Sequence, residues 1–386
     1  MKKIVNFCKT MIYKTLYNIK PQKDIWIFSS VDNEKYNYNS KYLFEYVLHK
    51  EKDIHPYFVI NDDLLREKLQ NKYGKDFFIE TKTKLGIKTA LSGGVWFTSA
   101  GLPLYGINLN KNRLIINLWH GVPLKKIALM ENKSSKFEKY YFHKIFSQNY
   151  SYILTTSKNL IPIMKDSFHV KDEIIKVWGQ PRNDCLFKEV NKNVLCNLFK
   201  DLLGYNKLIL YAPTYRDNED TRIFPFEDYN KNELEKYLEE NKTIIFIRTH
   251  ISESAKTKKY LGKRVLLLNE NLIEDIMEVL SLFDMLITDY SSVHFDFAYM
   301  KKPVVYTQFD KEDFFAGQIY DEGYFSYEND GFGPVCYDYE STVDALIKAV
   351  ERDCVNEEKY LDRISSFFTY DDKNNSARAL EEIINS

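Results

Sequence analysis

The stretch Met285-Leu-Ile-Thr-Asp-Tyr-Ser-Ser-Val-His-Phe-Asp-Phe-Ala-Tyr299 runs from an apolar segment, through a polar turn, into an apolar helical pattern. A short apolar run that ends at turn-forming residues is typical of a buried strand, and the periodic run after it is typical of a helix. Repeated strand-to-helix units build parallel sheets that carry helices on both faces. This stretch therefore predicts an α/β fold.

The same alternation continues in two series on either side of the polar, lysine-rich segment 185–206. Helical patterns separate most of the predicted strands, which lie at 25–28, 56–60, 95–98, 114–118, 153–156, 174–177, 208–211, 244–247, 265–268, 285–287 and 304–306. We predict two tandem Rossmann-like doubly wound domains, 25–190 and 191–386, that face each other across a cleft, with a separate segment at 1–24.

Composition excludes several classes of protein. The chain has 386 residues, of which 44% are hydrophobic and 28% charged, a globular balance. Its 54 basic and 55 acidic side chains give a net charge of −1, so we expect no nucleic-acid partner. The five cysteines show no C-x-x-C spacing, which indicates reduced thiols and neither a disulfide framework nor a zinc site.

The first candidate site residue is His120, which follows the predicted strand 114–118 and precedes Gly121. An imidazole has an unperturbed pKa of about 6.5, so it can act as a general base at neutral pH. A histidine held by backbone groups in a turn explains the same pattern. Both interpretations remain open from the residues alone.

Arg248 and His250 follow the strand 244–247 and share one side if the extended geometry continues. Together they can hold two oxygens of a diphosphate. An ion-paired arginine and a surface histidine are the structural alternative.

In the opening stretch, Asp289, Ser291 and Ser292 lie between strand and helix. Free N–H groups at a helix start, together with serine hydroxyls, form a phosphate site without net protein charge. An ordinary serine N-cap explains one of the two serines.

Two further loops add polar candidates. Thr214 and Arg216 follow the strand 208–211, and Arg216 suits bidentate phosphate binding, although pairing with a neighbouring aspartate explains it as well. The turn-rich segment with Arg182, Asn183 and Asp184 is either hinge structure or cleft lining.

Motifs that are absent narrow the chemistry. The sequence has no G-x-G-x-x-G, no G-x-x-x-x-G-K-[ST], no D-x-D and no G-x-S-x-G. We therefore predict no dinucleotide cofactor, no P-loop and no metal ion. Transfer from an activated diphosphate, held by side chains and a helix start, is the chemistry that remains.

Taken in order, these motifs resemble those of the CDP-glycerol glycerophosphotransferase family, which contains teichoic-acid primases and polymerases and related capsule enzymes. An early Asn39-Ser-Lys-Tyr-Leu-Phe44 element is similar to the family's Asn-Pro-Lys-Ala-Leu, with Ser40 in place of proline. The motifs that carry the resemblance are Trp119-His-Gly121, Gly179-x-Pro-Arg-Asn-Asp184, Ala212-Pro-Thr-x-Arg216, Arg248-x-His250 and Thr288-Asp-Tyr-Ser-Ser292.

The resemblance implies a glycosyltransferase-B-like fold and transfer of a polyol phosphate from a CDP-alditol, CDP-glycerol first, to an acceptor hydroxyl with release of CMP. His120 is then the base on the acceptor alcohol, and His250 with Arg248 contacts the donor diphosphate. Asp289, Ser291 and Ser292 form the phosphate turn, and Thr214 and Arg216 are further donor-binding candidates. Gly121 and the segment 182–184 are assigned to cleft or hinge.

The same family resemblance implies a lipid-linked saccharide or polymer acceptor at the cytoplasmic face of the membrane. Lysines and aliphatic residues alternate in 1–20, which predicts either an amphipathic helix on that surface or a helix docked on its own domain. A second lysine- and aromatic-rich segment, 125–144, follows His120. The competing functions are a glycosyltransferase that uses a nucleotide sugar and an inactive, membrane-associated nucleotide-binding module.

Overall fold

The computed structural model describes residues 2–132, 134–199, 202, 204–214, 223–224, 229–249, 257–317 and 323–385. The described residues form two compact units. The first unit contains 1–122, 127–184 and 369–386, and the second contains 123–126 and 185–368.

The first unit is a parallel sheet with helices on both faces, in the strand order β3-β2-β1-β4-β5-β6-β7. Its strands are β1 Gln22–Ser29, β2 His55–Val59, β3 Phe78–Ile79, β4 Gly93–Thr98, β5 Leu114–Asn117, β6 Tyr152–Thr155 and β7 Ile175–Val177. Its helices are α1 Lys2–Tyr17, α2 Tyr38–Lys50, α3 Asp63–Tyr73, α4 Lys84–Ser92, α5 Lys136–Ile145, α6 Ile161–Phe168 and the C-terminal helix Asn375–Ile384.

Alternation along the central strands fills both faces of this sheet. Phe28 and Phe97 lie on one face in stacked contact, with ring centroids 4.5 Å apart. Ile27 and Trp96 belong to the core on the other face. Because successive side chains of a strand point to opposite faces, an uninterrupted apolar strand requires a helix layer on each side.

The second unit repeats the plan in the order β10-β9-β8-β11-β12-β13, again with parallel pairs. Its strands are β8 Lys207–Ala212, β9 Thr243–Ile247, β10 Val265–Leu267, β11 Met285–Thr288, β12 Val304–Thr307 and β13 Val335–Cys336. Its described helices are α7 Asn193–Leu198, α8 Lys231–Glu240, α9 Val293–Tyr299, α10 Lys311–Gly317, α11 Tyr327–Asp330, α12 Tyr339–Glu351 and α13 Glu358–Phe367.

Every predicted strand is present, so the α/β prediction is confirmed. The sequence missed β3 and β13, which are two-residue strands at sheet edges. The apolar pattern at 272–281 also predicts a helix, and this prediction is wrong. Two short 3₁₀ turns, Ile276–Glu278 and Leu280–Leu282, occupy that region and bury Met277 and Leu280.

The division between the units differs from the predicted boundary at 190. The chain passes into the second unit after Asp184, and residues 369–386 return to the first unit instead of staying in the predicted domain 191–386. The reason is the apolar face of the C-terminal helix, where Ala379 and Leu380 join the core of the first sheet. Gly179 permits this packing, because a Cβ at this position would lie only 1.8 Å from Asn375 Oδ1.

Helix α1 is docked on the first unit by one face only. Thr10 is buried, Tyr13 packs against the core, and Lys14 Nζ donates to the Asn108 carbonyl oxygen at 2.8 Å. Ile4 and Leu16, on the other side, are 66% and 70% exposed. Across the described residues, no helix is long and apolar enough to cross a membrane.

Asp184 anchors the C-terminal helix, and its replacement tests that anchor. Its carboxylate accepts hydrogen bonds from Asn375 N and Nδ2, both at 2.9 Å, and from Ser376 N at 2.8 Å. We expect Asp184→Ala to lower the free energy of unfolding by about 3 kcal/mol, because it removes charge-assisted bonds at a largely buried position. Urea denaturation and hydrogen exchange at 375–384 measure the effect.

Asp172→Ala is the matched control, since Asp172 pairs with Lys165 at 3.0 Å on the surface. Exposed ion pairs of this kind contribute at most about 1 kcal/mol. Equal losses in the two variants, or unchanged exchange at 375–384 in Asp184→Ala, would contradict the anchoring role.

Candidate active site

The loop that carries His120 is anchored at the carboxyl end of β5. Leu118 N donates to the Thr98 carbonyl oxygen at 2.8 Å, so the chain stays beside β4 for one residue beyond the strand. Asn117 Oδ1 then accepts from Trp119 N at 2.9 Å. Trp119 has φ of 52°, an uncommon conformation for a bulky residue, and it turns the chain sharply before His120.

One hydrogen bond sets the protonation pattern of His120. Its Nδ1 lies 2.9 Å from the Ser99 carbonyl oxygen, at the end of the neighbouring strand β4. A carbonyl oxygen can only accept, so Nδ1 carries the proton and Nε2 carries the lone pair. The geometry thus presents the nitrogen that can take a proton from a substrate.

Burial, opposed by the hydrogen bond to the Ser99 carbonyl and aided by the nearby Arg182 guanidinium, lowers the pKa of the His120 imidazole to about 4. The imidazole is therefore neutral at pH 7. That is the protonation state a general base requires.

Gly121 and Arg182, which the sequence assigned to cleft or hinge, lie together at the His120 loop. Arg182 Nη1 donates to the His120 carbonyl oxygen at 2.7 Å. A Cβ at Gly121 would lie 3.3 Å from Arg182 Nη2, so glycine allows the guanidinium to approach. Both residues shape the loop.

Two residues that position His120 were not among the predicted site residues. Asn39 Nδ2 donates to the Leu118 and Trp119 carbonyl oxygens at 3.0 Å, and its Oδ1 accepts from Arg182 N at 3.1 Å. The sequence feature that pointed to Asn39 was the Asn39–Phe44 element. Ser99 Oγ accepts from Ser40 N at 2.9 Å, and only its place after a predicted strand pointed to it.

In the second unit, Thr214 and Asp289 join the ends of two neighbouring strands, β8 and β11. Asp289 Oδ1 accepts from Thr214 N at 2.8 Å, from Thr214 Oγ1 at 2.6 Å and from Tyr290 N at 2.6 Å. The strand order reverses between β8 and β11, and ligands of open parallel sheets bind at such a reversal.

Ser291 and Ser292 lie in the turn between β11 and α9. Ser292 is exposed and its side chain makes no capping hydrogen bond, whereas Ser291 Oγ accepts from Val293 N at 3.5 Å. Neither serine side chain therefore makes a strong N-cap hydrogen bond at the start of α9.

Arg248 is directed toward backbone carbonyl groups of its own unit. Its Nη1 donates to the Ile273 oxygen at 2.7 Å and to the Leu268 oxygen at 3.4 Å, and Nη2 donates to the Glu274 oxygen at 3.4 Å. Burial lowers the pKa of this guanidinium. These bonds hold the end of β9 against the segment 268–274.

Four predicted site residues remain: Asn183 and Asp184, which the structure describes, and Arg216 and His250, which it does not. Asn183 is buried, and neither of its side-chain amide atoms has a hydrogen-bond partner among the described residues. Asp184 anchors the C-terminal helix as described above. Arg216 and His250 lie outside the described residues.

A model of the family described as CDP-Glycerol:Poly(glycerophosphate) glycerophosphotransferase matches residues 11–385. The chain belongs to this glycerophosphotransferase family. The resemblance drawn from its motifs is thereby confirmed, and with it the prediction of a transferase.

Relatives of this glycerophosphotransferase include enzymes of teichoic acid synthesis. It is 29% identical to the teichoic acid poly(glycerol phosphate) polymerase of Bacillus spizizenii, across 97% of this chain and 95% of the relative. It is 26% identical to the teichoic acid glycerol-phosphate transferase of Staphylococcus aureus, across 90% and 89% of the two chains. It spans 50% of the length of the teichoic acid ribitol-phosphate polymerase TarL of Staphylococcus aureus, at 24% identity.

The fold of this family member also matches a solved structure. The wall teichoic acid polymerase TagF superposes with a TM-score of 0.74 at 22% identity, covering 100% of this chain and 95% of the TagF chain. This likeness confirms the predicted class of two doubly wound parallel sheets.

The protonation state of His120 is open to direct measurement. We expect its imidazole to titrate near pH 4 in the free protein, because burial disfavours the charged form. As the pH falls through this value the base is lost, and above it the base is retained. Nuclear magnetic resonance of histidine-labelled protein measures the titration, and His120→Gln assigns the signal. Titration near the unperturbed value of about 6.5 would contradict the desolvated, neutral imidazole.

Proposed function

We propose that this glycerophosphotransferase moves a polyol phosphate, glycerol phosphate first, from a CDP-alditol to a hydroxyl of a lipid-linked saccharide or polymer, releasing CMP. The observation that carries the proposal is the hydrogen bond from His120 Nδ1 to the Ser99 carbonyl oxygen, which leaves Nε2 to accept a proton. Family membership supports the choice of a CDP-alditol donor.

The proposed step is a displacement at phosphorus. The acceptor oxygen attacks the phosphorus that bears the polyol, its proton passes to His120 Nε2, and the bond from that phosphorus to the bridging oxygen breaks. CMP departs with the bridging oxygen and its electron pair. Little covalent chemistry falls to the protein, so positioning and electrostatic stabilisation supply most of the acceleration.

The donor residues in this proposal belong to the second unit. Thr214 and Asp289 hold together the two strand ends at the reversal of strand order, which supports a phosphate site there. Ser291 and Ser292 supply hydroxyl donors from the adjoining turn. In this proposal His250 and Arg216 bind the diphosphate and stabilise the charge that grows on the leaving CMP. Arg248, which is bonded to carbonyl oxygens of its own unit, adds positive charge at the end of β9.

The acceptor's lipid places the proposed reaction at the cytoplasmic membrane face. The exposed side of α1 carries large apolar residues together with Lys9, and α1 contains no acidic residue. On α5, Phe137 is 75% and Tyr140 is 61% exposed, beside Lys136, Lys139 and Lys144. Apolar side chains flanked by lysines suit a helix lying on anionic lipid.

Product analysis tests the transfer. We expect CMP release from CDP-glycerol or CDP-ribitol when a lipid-linked acceptor is present, with mass spectrometry detecting the added polyol phosphate. His120→Ala should lower turnover by about 10² to 10⁴ and leave donor affinity nearly unchanged, because the base acts on the acceptor. His49→Ala, a change of an exposed histidine on α2, is the matched control.

Assays with a panel of nucleotide-activated donors separate the proposed transfer from the competing functions. Release of nucleotide only from UDP-, GDP- or CMP-sugars would replace the proposal by a glycosyltransferase. Nucleotide binding without turnover in the wild-type protein, unaffected by His120→Ala, would indicate a binding module.

Vesicle flotation tests whether the exposed sides of α1 and α5 bind lipid. We expect the protein to float with phosphatidylglycerol vesicles, and Leu16→Glu or Phe137→Glu to reduce the bound fraction severalfold, because each puts a carboxylate on the proposed lipid-facing side. Leu64→Glu changes a leucine on α3 that is even more exposed than Leu16, and it should have no effect. Equal binding of Leu16→Glu, Phe137→Glu and the wild type would refute the surface.

A further inference from the structure

A cavity of about 750 Å³ in the first unit adjoins His120. Its walls are largely aromatic and include Tyr105, Trp119, Tyr141, Phe146 and Tyr150. This volume lies in the range of cavities that bind small organic molecules. The walls of such cavities are mostly apolar, with a few polar groups that orient the ligand. The proposed phosphate transfer assigns no role to the cavity.

Among the residues that the structure describes, two polar groups in the cavity wall have no hydrogen-bond partner. Asn117 is 1% exposed, and its Nδ2 has no hydrogen-bond partner in the described part of the chain. Its Oδ1 is engaged by Trp119 N, so the side chain cannot simply turn over to exchange the two atoms. The Tyr141 hydroxyl, from α5, is likewise buried and without a partner among the described residues.

Unsatisfied donors of this kind are uncommon in folded proteins because each costs stability. Here both belong to residues that line the cavity, and His120 lines the same cavity. A ligand that brings several hydroxyl oxygens can accept from Asn117 Nδ2 and exchange a hydrogen bond with Tyr141. Aromatic rings meanwhile cover the less polar C–H faces of such a ligand.

We propose that this cavity binds the polyhydroxylated end of the acceptor, with Asn117 and Tyr141 as the residues that orient it toward His120. This inference rests on the proposed function, since it names the part of the acceptor that the transferase recognises. A saccharide and an alditol phosphate share the required chemistry of neighbouring hydroxyl groups.

Acceptor binding without donor tests the cavity. Isothermal titration of the full chain uses two probes, a short-chain alkyl disaccharide and a short-chain alkyl glycerol phosphate. We expect the wild type to bind at least one, and Tyr141→Phe to raise its Kd about tenfold through loss of one hydrogen bond. The probe that binds identifies the source of the hydroxyl groups.

Two further variants sharpen the result. Asn117→Asp keeps the oxygen that accepts from Trp119 N but replaces the amide donor. It should therefore also raise the Kd of the probe. Tyr57→Phe removes a tyrosine hydroxyl from β2, outside the cavity, and should leave the Kd unchanged. The affinity for CDP-glycerol should be equal in Tyr141→Phe, Tyr57→Phe and the wild type, and thermal melts check folding.

Absence of binding by the wild type, or an unchanged Kd in Tyr141→Phe, would overturn the inference. If Asn117→Asp does not fold, Tyr141→Phe decides alone. Binding of a probe that depends on Tyr141, without CMP release after CDP-glycerol is added, would uphold the cavity and refute the proposed transfer. The two failures are thus distinguishable.

Discussion

The hydrogen bond between His120 Nδ1 and the Ser99 carbonyl oxygen depends on the register of two parallel strands. In the sheet, Thr98 of β4 stands beside Asn117 of β5, so the residues that follow each strand emerge side by side. A shift of one residue would turn alternate side chains to the other face and separate the two groups. The tautomer of the candidate base is therefore a consequence of how the sheet is paired.

In the second unit, residues beyond two neighbouring strand ends are also brought together, here by a carboxylate and not by an imidazole. Thr288 of β11 stands beside Ala212 of β8. Asp289, which follows Thr288, and Thr214, two residues beyond Ala212, meet across the point where the strand order reverses. A carboxylate there accepts three donors from the two loops. In both units the candidate site residues lie just beyond the ends of the parallel strands, where loops carried by a sheet commonly place functional groups.

Strand positions and His120 were predictable because they depend on local patterns: apolar runs, and an imidazole with glycine directly after one. The contacts that orient the site depend on distant parts of the chain. Asn39 bonds to the His120 loop from 79 residues away, and Asp184 holds a helix 191 residues further on. No periodicity in one sequence reports such pairings. For the same reason, the return of the C-terminal helix to the first unit was missed.

The low pKa of His120 implies that, in the proposed reaction, its strength as a base depends on the bound donor. A neutral imidazole with a pKa of about 4 is a weak base in the free protein. Attack requires the acceptor hydroxyl to approach a phosphorus atom, so the donor's phosphate charges must lie near Nε2 when the proton moves. Negative charge raises the pKa of a nearby imidazole. In the proposed reaction, His120 therefore becomes a stronger base when the diphosphate is in place. Near-neutral net charge is compatible with this chemistry, because the relevant charges come from the substrate and from a few buried groups.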